Sequence, residues 1–482
     1  MNRRMIFNMV GQIIRLEAAL LLLPAIVALL YGESRAMWSF LGTSALALAL
    51  GTVVTTVATP RNNTIFAREG FVIVALAWGA VSVIGALPFV MSGDIPHYID
   101  ALFETVSGFT TTGSSILTDV EALTHAALFW RSFTHWIGGM GVLVMIMAIV
   151  PSKSGRNMHV MRAEMPGPIV GKLTPRVRDT AKVLYLLYIA LSAVEVVFLL
   201  AGGLPFFESL LYTFGTAGTG GFGPLGDAQA SLTPYVQWVL AVFMLLFGVN
   251  FNLYYLILLR RVSTALKSRE LWTYFGIVGA ATTLITLNIW DRYAVAGDAI
   301  RHAFFQVTSL ITTTGYASTD YGVWTGYAKP ILFVLMFIGG CAGSTAGGLK
   351  VSRVMLLFKS VRRDLVQHLH PRSVGVIKLE GKRVDDTTVG SVGVYLALYF
   401  ILLFATFLLV SLDPTYGIET NLTAAVSCVN NIGPAFGEIG PMGCFAGYQP
   451  LSKIVFSFAM LFGRLEIYPL LFALTPSTWI RK

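Results

Sequence analysis

Residues 309–317 read SLITTTGYA, and three other stretches of the chain repeat their pattern: SGFTTTGSS at 107–115, GTAGTGGFG at 215–223 and SCVNNIGPA at 427–435. Aligning the four stretches brings one glycine of each into register, namely Gly113, Gly221, Gly315 and Gly433. The aligned residues six positions earlier are Ser107, Gly215, Ser309 and Ser427, and those two positions earlier are Thr111, Thr219, Thr313 and Asn431. The glycines are 108, 94 and 118 residues apart, which indicates a fourfold internal repeat.

The composition of the 482 residues is typical of a membrane protein. Hydrophobic residues make up 55% and charged residues only 12%, with a mean hydropathy of +0.71. Apolar runs long enough to cross the ~30 Å hydrocarbon core recur along the chain. They predict ten membrane-spanning helices, at 6–31, 36–58, 69–92, 127–151, 180–202, 235–259, 271–290, 328–360, 388–412 and 449–475.

The last eight predicted spans form four pairs, and one glycine stretch lies between the members of each pair. We therefore predict an all-α polytopic membrane protein with ten transmembrane helices and four re-entrant pore loops in pseudo-fourfold helix–loop–helix repeats. Residues 1–58 form two N-terminal helices in this scheme. The four pore repeats occupy 59–151, 152–265, 266–361 and 362–482, the last including a preceding cytoplasmic loop.

The charge distribution predicts the orientation. Most of the 34 lysines and arginines lie in 59–69, 152–182, 259–270, 350–385 and the two termini, whereas the segments carrying the glycine stretches are acidic. By the positive-inside rule these stretches lie outside and both termini are cytoplasmic. The net charge of +9 is then a topology signal, and no nucleic-acid partner is expected. The outer carboxylates predict an acidic vestibule that attracts cations.

Four re-entrant loops indicate an ion pathway, because irregular backbone at membrane depth is stable only when it is buried in protein or lines water. Glycine lets the backbone adopt conformations in which its carbonyl oxygens replace the hydration shell of a cation. One such stretch by itself is more typical of close helix packing, but four in register favour a filter. The predicted cation-binding residues are Thr111, Thr112, Gly113, Gly220, Gly221, Thr313, Thr314, Gly315, Asn431, Ile432 and Gly433.

The predicted span 328–360 is too long for one straight helix and is rich in small residues near its middle. We expect it to break there and form an intramembrane gate, although simple close packing of two helices is an alternative. Arg464 lies within the last predicted span, where a charge is costly, so we expect it to face the pathway. Its alternative role is a structural anchor, paired with Glu466 or another acid. The predicted gate residues are Gly339, Gly340, Gly343, Ser344, Thr345, Gly347, Gly348 and Arg464.

Three further motifs are GGCAGSTAGGLK at 339–350, HPRSVGVIK at 370–378 and FGRLEIYPLL at 462–471. With the glycine stretches, they resemble the Trk/Ktr/HKT superfamily of potassium transporters, most closely its bacterial Trk-type channel subunit. The resemblance implies potassium as the main ion at the filter residues and a homodimer with one pore in each subunit. It also implies a bacterial inner-membrane location and a cytosolic, TrkA-like regulatory subunit that binds nucleotide.

The resemblance implies that this chain binds no organic cofactor, because ATP, ADP or NAD(H) would bind only to the regulatory subunit. It also implies that the glycine-rich run and Arg464 act together as the gate. Two loops depart from the common pattern: the second has Gly215 in place of serine, and the fourth has Asn430, Asn431 and Ile432 in place of a run of threonines.

Three other functions remain as alternatives. A membrane enzyme would show a cluster of carboxylates, histidines or a nucleophile near one membrane face, whereas the seven histidines here are scattered. A secondary transporter with an inverted repeat would show one or two broken spans rather than four loops of the same sense. A third alternative keeps the fold and changes the ion, giving a Na⁺-permeable or Na⁺/K⁺-coupled transporter. We predict a transport protein, not an enzyme.

Overall fold

The computed structural model describes residues 1–60, 66–141, 177–226, 229–324, 326–373 and 375–480, and in these ranges the chain is mostly helical. The first helices are Arg3–Leu20, Leu22–Leu30, Ser34–Val57, Ala67–Gly85, Leu87–Ser92, Tyr98–Phe109, His125–Met140, Val177–Ala201, Phe206–Gly218, Pro234–Phe247 and Phe251–Leu258. The later helices are Val262–Leu266, Arg269–Ile289, Ala296–Ile311, Ala328–Leu335, Val351–Leu369, Asp386–Val410, Ile418–Asn430, Pro450–Arg464, Tyr468–Leu474 and Pro476–Trp479. Short 3₁₀ turns lie at Trp290–Arg292, Tyr321–Val323 and Gly437–Ile439, and strands Lys378–Leu379 and Lys382–Arg383 pair antiparallel.

Within the described ranges, six helical segments are long and apolar enough to cross a membrane. They are Arg3–Leu30, Ser34–Val57, Ala67–Ser92, Asp179–Ala201, Arg269–Arg292 and Asp386–Val410. These segments coincide with the predicted spans 6–31, 36–58, 69–92, 180–202, 271–290 and 388–412. The protein is therefore a helical membrane protein with several spanning helices, as its composition predicts.

The other four predicted spans are the second members of the four pairs, and three of them are broken in the described residues. In 235–259, helices Pro234–Phe247 and Phe251–Leu258 meet at 90°. The Asn250 side chain caps the second of them by accepting a hydrogen bond of 2.9 Å from the Asn252 amide. In 127–151, a helix runs from His125 to Met140, and residues 142–151 lie outside the described ranges.

The span 328–360 breaks as predicted, because residues 336–350 separate two helices. We call residues 336–350 the glycine-rich segment. The span 449–475 also breaks, which differs from the expected continuous helix: one helix ends at Arg464 and the next begins at Tyr468. Pro469 fits this break, because proline lacks the amide hydrogen that a continuous helix needs and is tolerated in the first turn of a new helix.

Four short helices lead into the glycine stretches, and we call them the loop helices: Tyr98–Phe109, Phe206–Gly218, Ala296–Ile311 and Ile418–Asn430. The first packs against His125–Met140 and Pro450–Arg464, and the second also packs against His125–Met140. The third packs against Pro234–Phe247, and the fourth against Pro450–Arg464. The second loop helix also packs against Pro234–Phe247, so shared neighbours connect all four loop helices.

Candidate functional site

The four loop helices end in the same backbone conformation. The residues two positions before the aligned glycines all have positive φ: Thr111 at 54°, Thr219 at 54°, Thr313 at 57° and Asn431 at 57°. The glycines themselves have φ between 81° and 108°. A positive φ is costly for a β-branched residue such as threonine, so the surrounding packing must hold it. Thr219 was absent from the predicted site, although its register with Thr111 was the signal that could have included it.

One hydrogen bond recurs in every loop. The amide of the residue before each glycine donates to the carbonyl five residues earlier: Thr112 to Ser107 at 2.9 Å, Gly220 to Gly215 at 2.8 Å, Thr314 to Ser309 at 2.8 Å and Ile432 to Ser427 at 3.0 Å. Such bonds satisfy carbonyls left free at a helix C-terminus. The fourfold repeat predicted from the aligned glycines therefore corresponds to a repeated three-dimensional structure.

The four loops contact one another in a closed order. A Cβ atom placed on each aligned glycine would overlap or closely approach the carbonyl of the next loop: Gly113 meets Gly220, Gly221 meets Thr314, Gly315 meets Ile432 and Gly433 meets Thr112. The contacts thus run from the first loop through the second and third to the fourth, and back to the first. We call this arrangement of the four loops the glycine ring. It brings together all eleven residues predicted to bind the cation.

A cavity of about 300 Å³ lies on one side of the glycine ring, and all four aligned glycines line it. No carboxylate belongs to its lining among the described residues, whereas Arg131 does. Within the described residues the wall of this cavity therefore supplies no carboxylate, and the acidic vestibule stays a prediction. Glu104 gives one reason for this lack of a carboxylate, because it is buried and accepts hydrogen bonds from Ser115 and from the Ile116 amide.

Glu104 also forms a salt bridge of 2.6 Å with Arg131, and both side chains are buried. Arg131 Nη1 donates to the Gly223 carbonyl at 3.1 Å, and the guanidinium lies 3.6 Å above the Phe222 ring. The pair therefore joins the first loop to the second. Sequence reasoning missed this role, although an arginine in a predicted membrane span was a usable signal.

The glycine-rich segment lies directly against the glycine ring. The Gly347 amide donates to Thr313 Oγ1 at 2.7 Å, and a Cβ at Gly347 would be 2.6 Å from the Asn430 carbonyl oxygen. The Lys350 ammonium group is buried and donates to the carbonyls of Ala346 and Gly347. A polar, irregular backbone thus packs against the ring at Thr313 and Asn430.

Most of the remaining predicted gate residues form hydrogen bonds within the glycine-rich segment and to its neighbours. The Gly339 amide donates to the Leu349 carbonyl at 2.7 Å, and Gly340 accepts from the Val351 amide at 3.2 Å. Gly343 and Gly348 have φ of 76° and 63°, a region that favours a residue without a Cβ. Other members bond to neighbours: the Gly343 carbonyl accepts from Phe251, the Ser344 hydroxyl donates to Cys341, and the Thr345 hydroxyl donates to Phe247.

Arg464 joins the segment to a different helix. Its guanidinium donates to the Thr345 carbonyl at 2.9 Å, and also to the carbonyls of Gly138 and Gly139 at 2.5 and 2.8 Å. A cavity of about 50 Å³ lies beside these contacts, and Arg464 and Lys350 both line it. The structure therefore brings Arg464 together with the predicted gate segment.

Glu466 pairs with Arg353, which sequence reasoning did not select. The two side chains form a salt bridge of 2.5 Å, and the Arg353 guanidinium lies 4.1 Å above the Tyr395 ring. Glu466 and Ile467 have φ of 55° and 68°, so the backbone just after Arg464 is strained. The ion pair therefore connects the helix that follows the glycine-rich segment to this strained turn.

The fold and these contacts define a class of protein: a helical membrane protein organised around a closed ring of four backbone loops. The family model named TrkH and described as "Cation transport protein" matches residues 38–480. The chain belongs to this family.

Individual relatives agree with this assignment over their whole length. The chain is 35% identical to the Trk system potassium uptake protein TrkH of Salmonella typhimurium, covering 99% of this chain and 100% of that protein. It is 32% identical to the Trk system potassium uptake protein TrkG of Escherichia coli, covering 99% and 98%. The crystal structure of the potassium transporter TrkH from Vibrio parahaemolyticus covers 100% of both chains, with a TM-score of 0.88 and 31% identity.

Proposed function

We propose that this protein carries potassium into the cell through the glycine ring. The observation that carries the proposal is the closed order of the loop contacts, in which each aligned glycine packs against a carbonyl of the next loop. Four equivalent carbonyls around one axis can replace the water of a cation with a single charge. Potassium is favoured as the ion because the similar full-length proteins carry potassium uptake in their names.

In this proposal the chain crosses the membrane ten times, and the four loops re-enter it from outside. The broken helices on the other side of the ring support this, since irregular backbone at membrane depth belongs beside a water-filled path. Both termini then lie in the cytoplasm of a bacterium, with the protein in the inner membrane. Inward movement of K⁺ gains about 2.3 kcal/mol per charge for each 100 mV of membrane potential.

The glycine-rich segment and Arg464 act as the gate. The segment contacts the ring through Thr313 and Gly347, and Arg464 holds it to the carbonyls of Gly138 and Gly139. In this position the backbone fills the exit of the ring, and a positive side chain beside it repels a cation. Opening requires the segment to move away from Thr313.

The partners proposed from the resemblance are a second copy of this chain and a cytosolic regulatory subunit that binds ATP, ADP or NAD(H). The basic segment 359–383 is the proposed docking region for that subunit, because it combines half-buried Lys359 with exposed Arg362 and Arg372. This chain itself binds no organic cofactor in the proposal. Potassium is its substrate.

Flux into liposomes tests the function. Purified wild-type protein is reconstituted, and K⁺ uptake is measured with and without competing Na⁺. We expect K⁺ uptake that exceeds Na⁺ uptake, and its loss in Gly113→Ala, where the added Cβ would overlap the Gly220 carbonyl. The matched control is Gly279→Ala in a spanning helix, where no atom lies within 4 Å of the added Cβ.

The control variant should transport like the wild type. Equal uptake of both ions by the wild type would instead favour the Na⁺-permeable alternative of the same fold. Wild-type K⁺ uptake by Gly113→Ala would contradict the proposal that the glycine ring is the pathway.

A further inference from the structure

The second loop lacks a side chain that the other three loops have. Ser107, Ser309 and Ser427 are all fully buried behind their loops. The Ser309 hydroxyl donates to the Tyr316 carbonyl at 2.5 Å, and the Ser427 hydroxyl donates to the Gly433 carbonyl at 2.9 Å. Ser107 Oγ has no hydrogen-bond partner among the described residues. Gly215 occupies this position in the second loop and has no hydroxyl to offer.

A hydroxyl from the third loop fills the space beside Gly215. A Cβ atom at Gly215 would overlap the Tyr316 hydroxyl oxygen, and it would also be 2.7 Å from the Phe222 carbonyl oxygen. The Tyr316 hydroxyl lies 3.1 Å from the Phe222 carbonyl and 3.2 Å from the Tyr212 carbonyl. Gly215 therefore has a steric reason to be glycine, namely the presence of Tyr316.

The bonded carbonyl has the same position in two loops. Phe222 follows Gly221 directly, just as Tyr316 follows Gly315. The Ser309 hydroxyl supports the carbonyl after the third glycine, and the Tyr316 hydroxyl supports the carbonyl after the second glycine. A hydrogen bond to this carbonyl limits the rotation of its peptide group, which lies one residue beyond the glycine of the ring.

The side chain that delivers this hydroxyl is itself held in place. Tyr316 is only 1% exposed, and its ring packs edge-on against Tyr212 with centroids 6.1 Å apart. Its backbone carbonyl is the acceptor for Ser309. Tyr316 therefore links the third loop to the second through its side chain, while its own main chain is part of the third loop.

We propose that Tyr316 is a positioning residue for ion selection, whose hydroxyl replaces the serine hydroxyl missing at position 215 of the second loop. The proposal rests on the proposed function of the glycine ring as the filter. It makes the second loop dependent on the third, so that the ion preference of the ring depends on a side chain that does not touch the ion.

Tyr316→Phe tests the proposal, because it removes one oxygen and keeps the ring. The matched control is Tyr274→Phe, since the Tyr274 hydroxyl is also buried and donates to a backbone carbonyl, that of Leu245 at 3.2 Å. Both variants are reconstituted as full-length protein, and K⁺ and Na⁺ uptake are measured separately. We expect Tyr316→Phe to lower the ratio of K⁺ to Na⁺ uptake about fivefold, the effect of one hydrogen bond. Tyr274→Phe should keep the wild-type ratio.

An unchanged ratio in Tyr316→Phe would overturn the proposal. A Tyr316→Phe protein that melts much earlier than Tyr274→Phe in detergent, or that cannot be purified, would also overturn it, because the hydroxyl would then serve stability rather than ion selection. Two other results would show that the glycine ring is not the filter. One is wild-type protein that does not prefer K⁺ over Na⁺, and the other is a Gly113→Ala variant that still takes up K⁺. The positioning role can therefore fail while the proposed function stands.

Discussion

The glycine ring and the glycine-rich segment are both irregular backbone at the centre of the protein, yet they are held in different ways. Each loop of the ring is closed by a hydrogen bond within its own chain segment, and that bond recurs four times. The segment also has backbone hydrogen bonds, such as the one from the Gly339 amide to the Leu349 carbonyl, but single side chains make its hydrogen bonds to the ring and to helix His125–Met140. Arg464 binds the Thr345 carbonyl, Thr313 binds the Gly347 amide, and Glu270 accepts from the Ala342 amide at 2.8 Å.

The difference indicates which of the two regions can move. A loop closed by its own backbone has no alternative partner, and in the ring each loop also blocks its neighbours. A segment held by single side chains is released when those side chains find other partners. The ring is therefore suited to hold a fixed set of oxygens, and the segment to change position.

Replacing one glycine of each region by alanine should give the largest difference in K⁺ uptake. Gly315→Ala places a Cβ against the Ile432 carbonyl at a φ of 82°, so K⁺ uptake should fall about 100-fold through overlap and strain. Gly348→Ala has a φ of 63°, but its Cβ meets Gly339 only at 3.3 Å. We expect this variant to keep transporting, at a rate equal to or above wild type. Liposome flux measures both, and equal loss in the two variants would remove the distinction between the regions.

Arg464→Ala tests the segment alone and should have the next largest effect. The variant loses charge-assisted hydrogen bonds to three carbonyls, so the segment should leave the ring more often. K⁺ uptake by protein without any cytosolic subunit should rise about tenfold, which corresponds to ~1.4 kcal/mol. The control is Arg68→Ala, which removes an exposed arginine that also donates to a carbonyl, that of Ser477. If Arg464→Ala leaves flux and its regulation unchanged, the gate assignment is wrong.

The two regions also differ in how far the sequence could predict them. The ring could be predicted almost completely, because a repeat fixes equivalent residues by register: Thr111, Thr313 and Asn431 share one conformation as their alignment requires. The break in the glycine-rich segment followed from its density of glycines. Its partners could not be predicted, because Arg464 and Thr345 are 119 residues apart and nothing repeats their contact.

Contacts between loops explain the other misses. Tyr316 lies next to an aligned glycine. The role proposed for it depends on the side-chain hydroxyl that is missing at Gly215, about 100 residues earlier in the chain. The pairing of Lys453 with Asp100 at 2.6 Å likewise joins distant parts of the chain. The outer carboxylates were expected to attract cations, whereas Glu104 and Asp100 form salt bridges within the protein. Charge alone does not distinguish a carboxylate that faces water from one that holds two elements together.

Asp413 is another carboxylate that holds two elements together, and it belongs to neither the glycine ring nor the glycine-rich segment. Substitution of Asp413 should have the smallest effect of the three tests. It lies in the turn after Asp386–Val410, and its carboxylate accepts from the Gln449 amide at 2.7 Å and from Ser452 Oγ at 3.1 Å. Burial would raise the pKa of Asp413, but hydrogen bonds from Thr415, Gln449 and Ser452 outweigh it and hold this pKa below its usual range. The carboxylate caps the start of helix Pro450–Arg464.

A group with a lowered pKa stabilises the fold above its unfolded-state pKa, and this contribution is lost as the pH falls through the folded-state value. Asp413→Asn should therefore lower the free energy of unfolding by about 1 kcal/mol at pH 7. The difference from wild type should start to shrink as the pH falls below about 4, where the unfolded chain takes up the proton, and it should vanish at lower pH, where the folded carboxyl takes it up as well. Melting temperatures in detergent between pH 3 and 7 measure this change. K⁺ flux at pH 7 should stay at the wild-type level, since Asp413 contacts neither the glycine ring nor the glycine-rich segment, and a change in ion preference would show that the outer turns help to shape the ring.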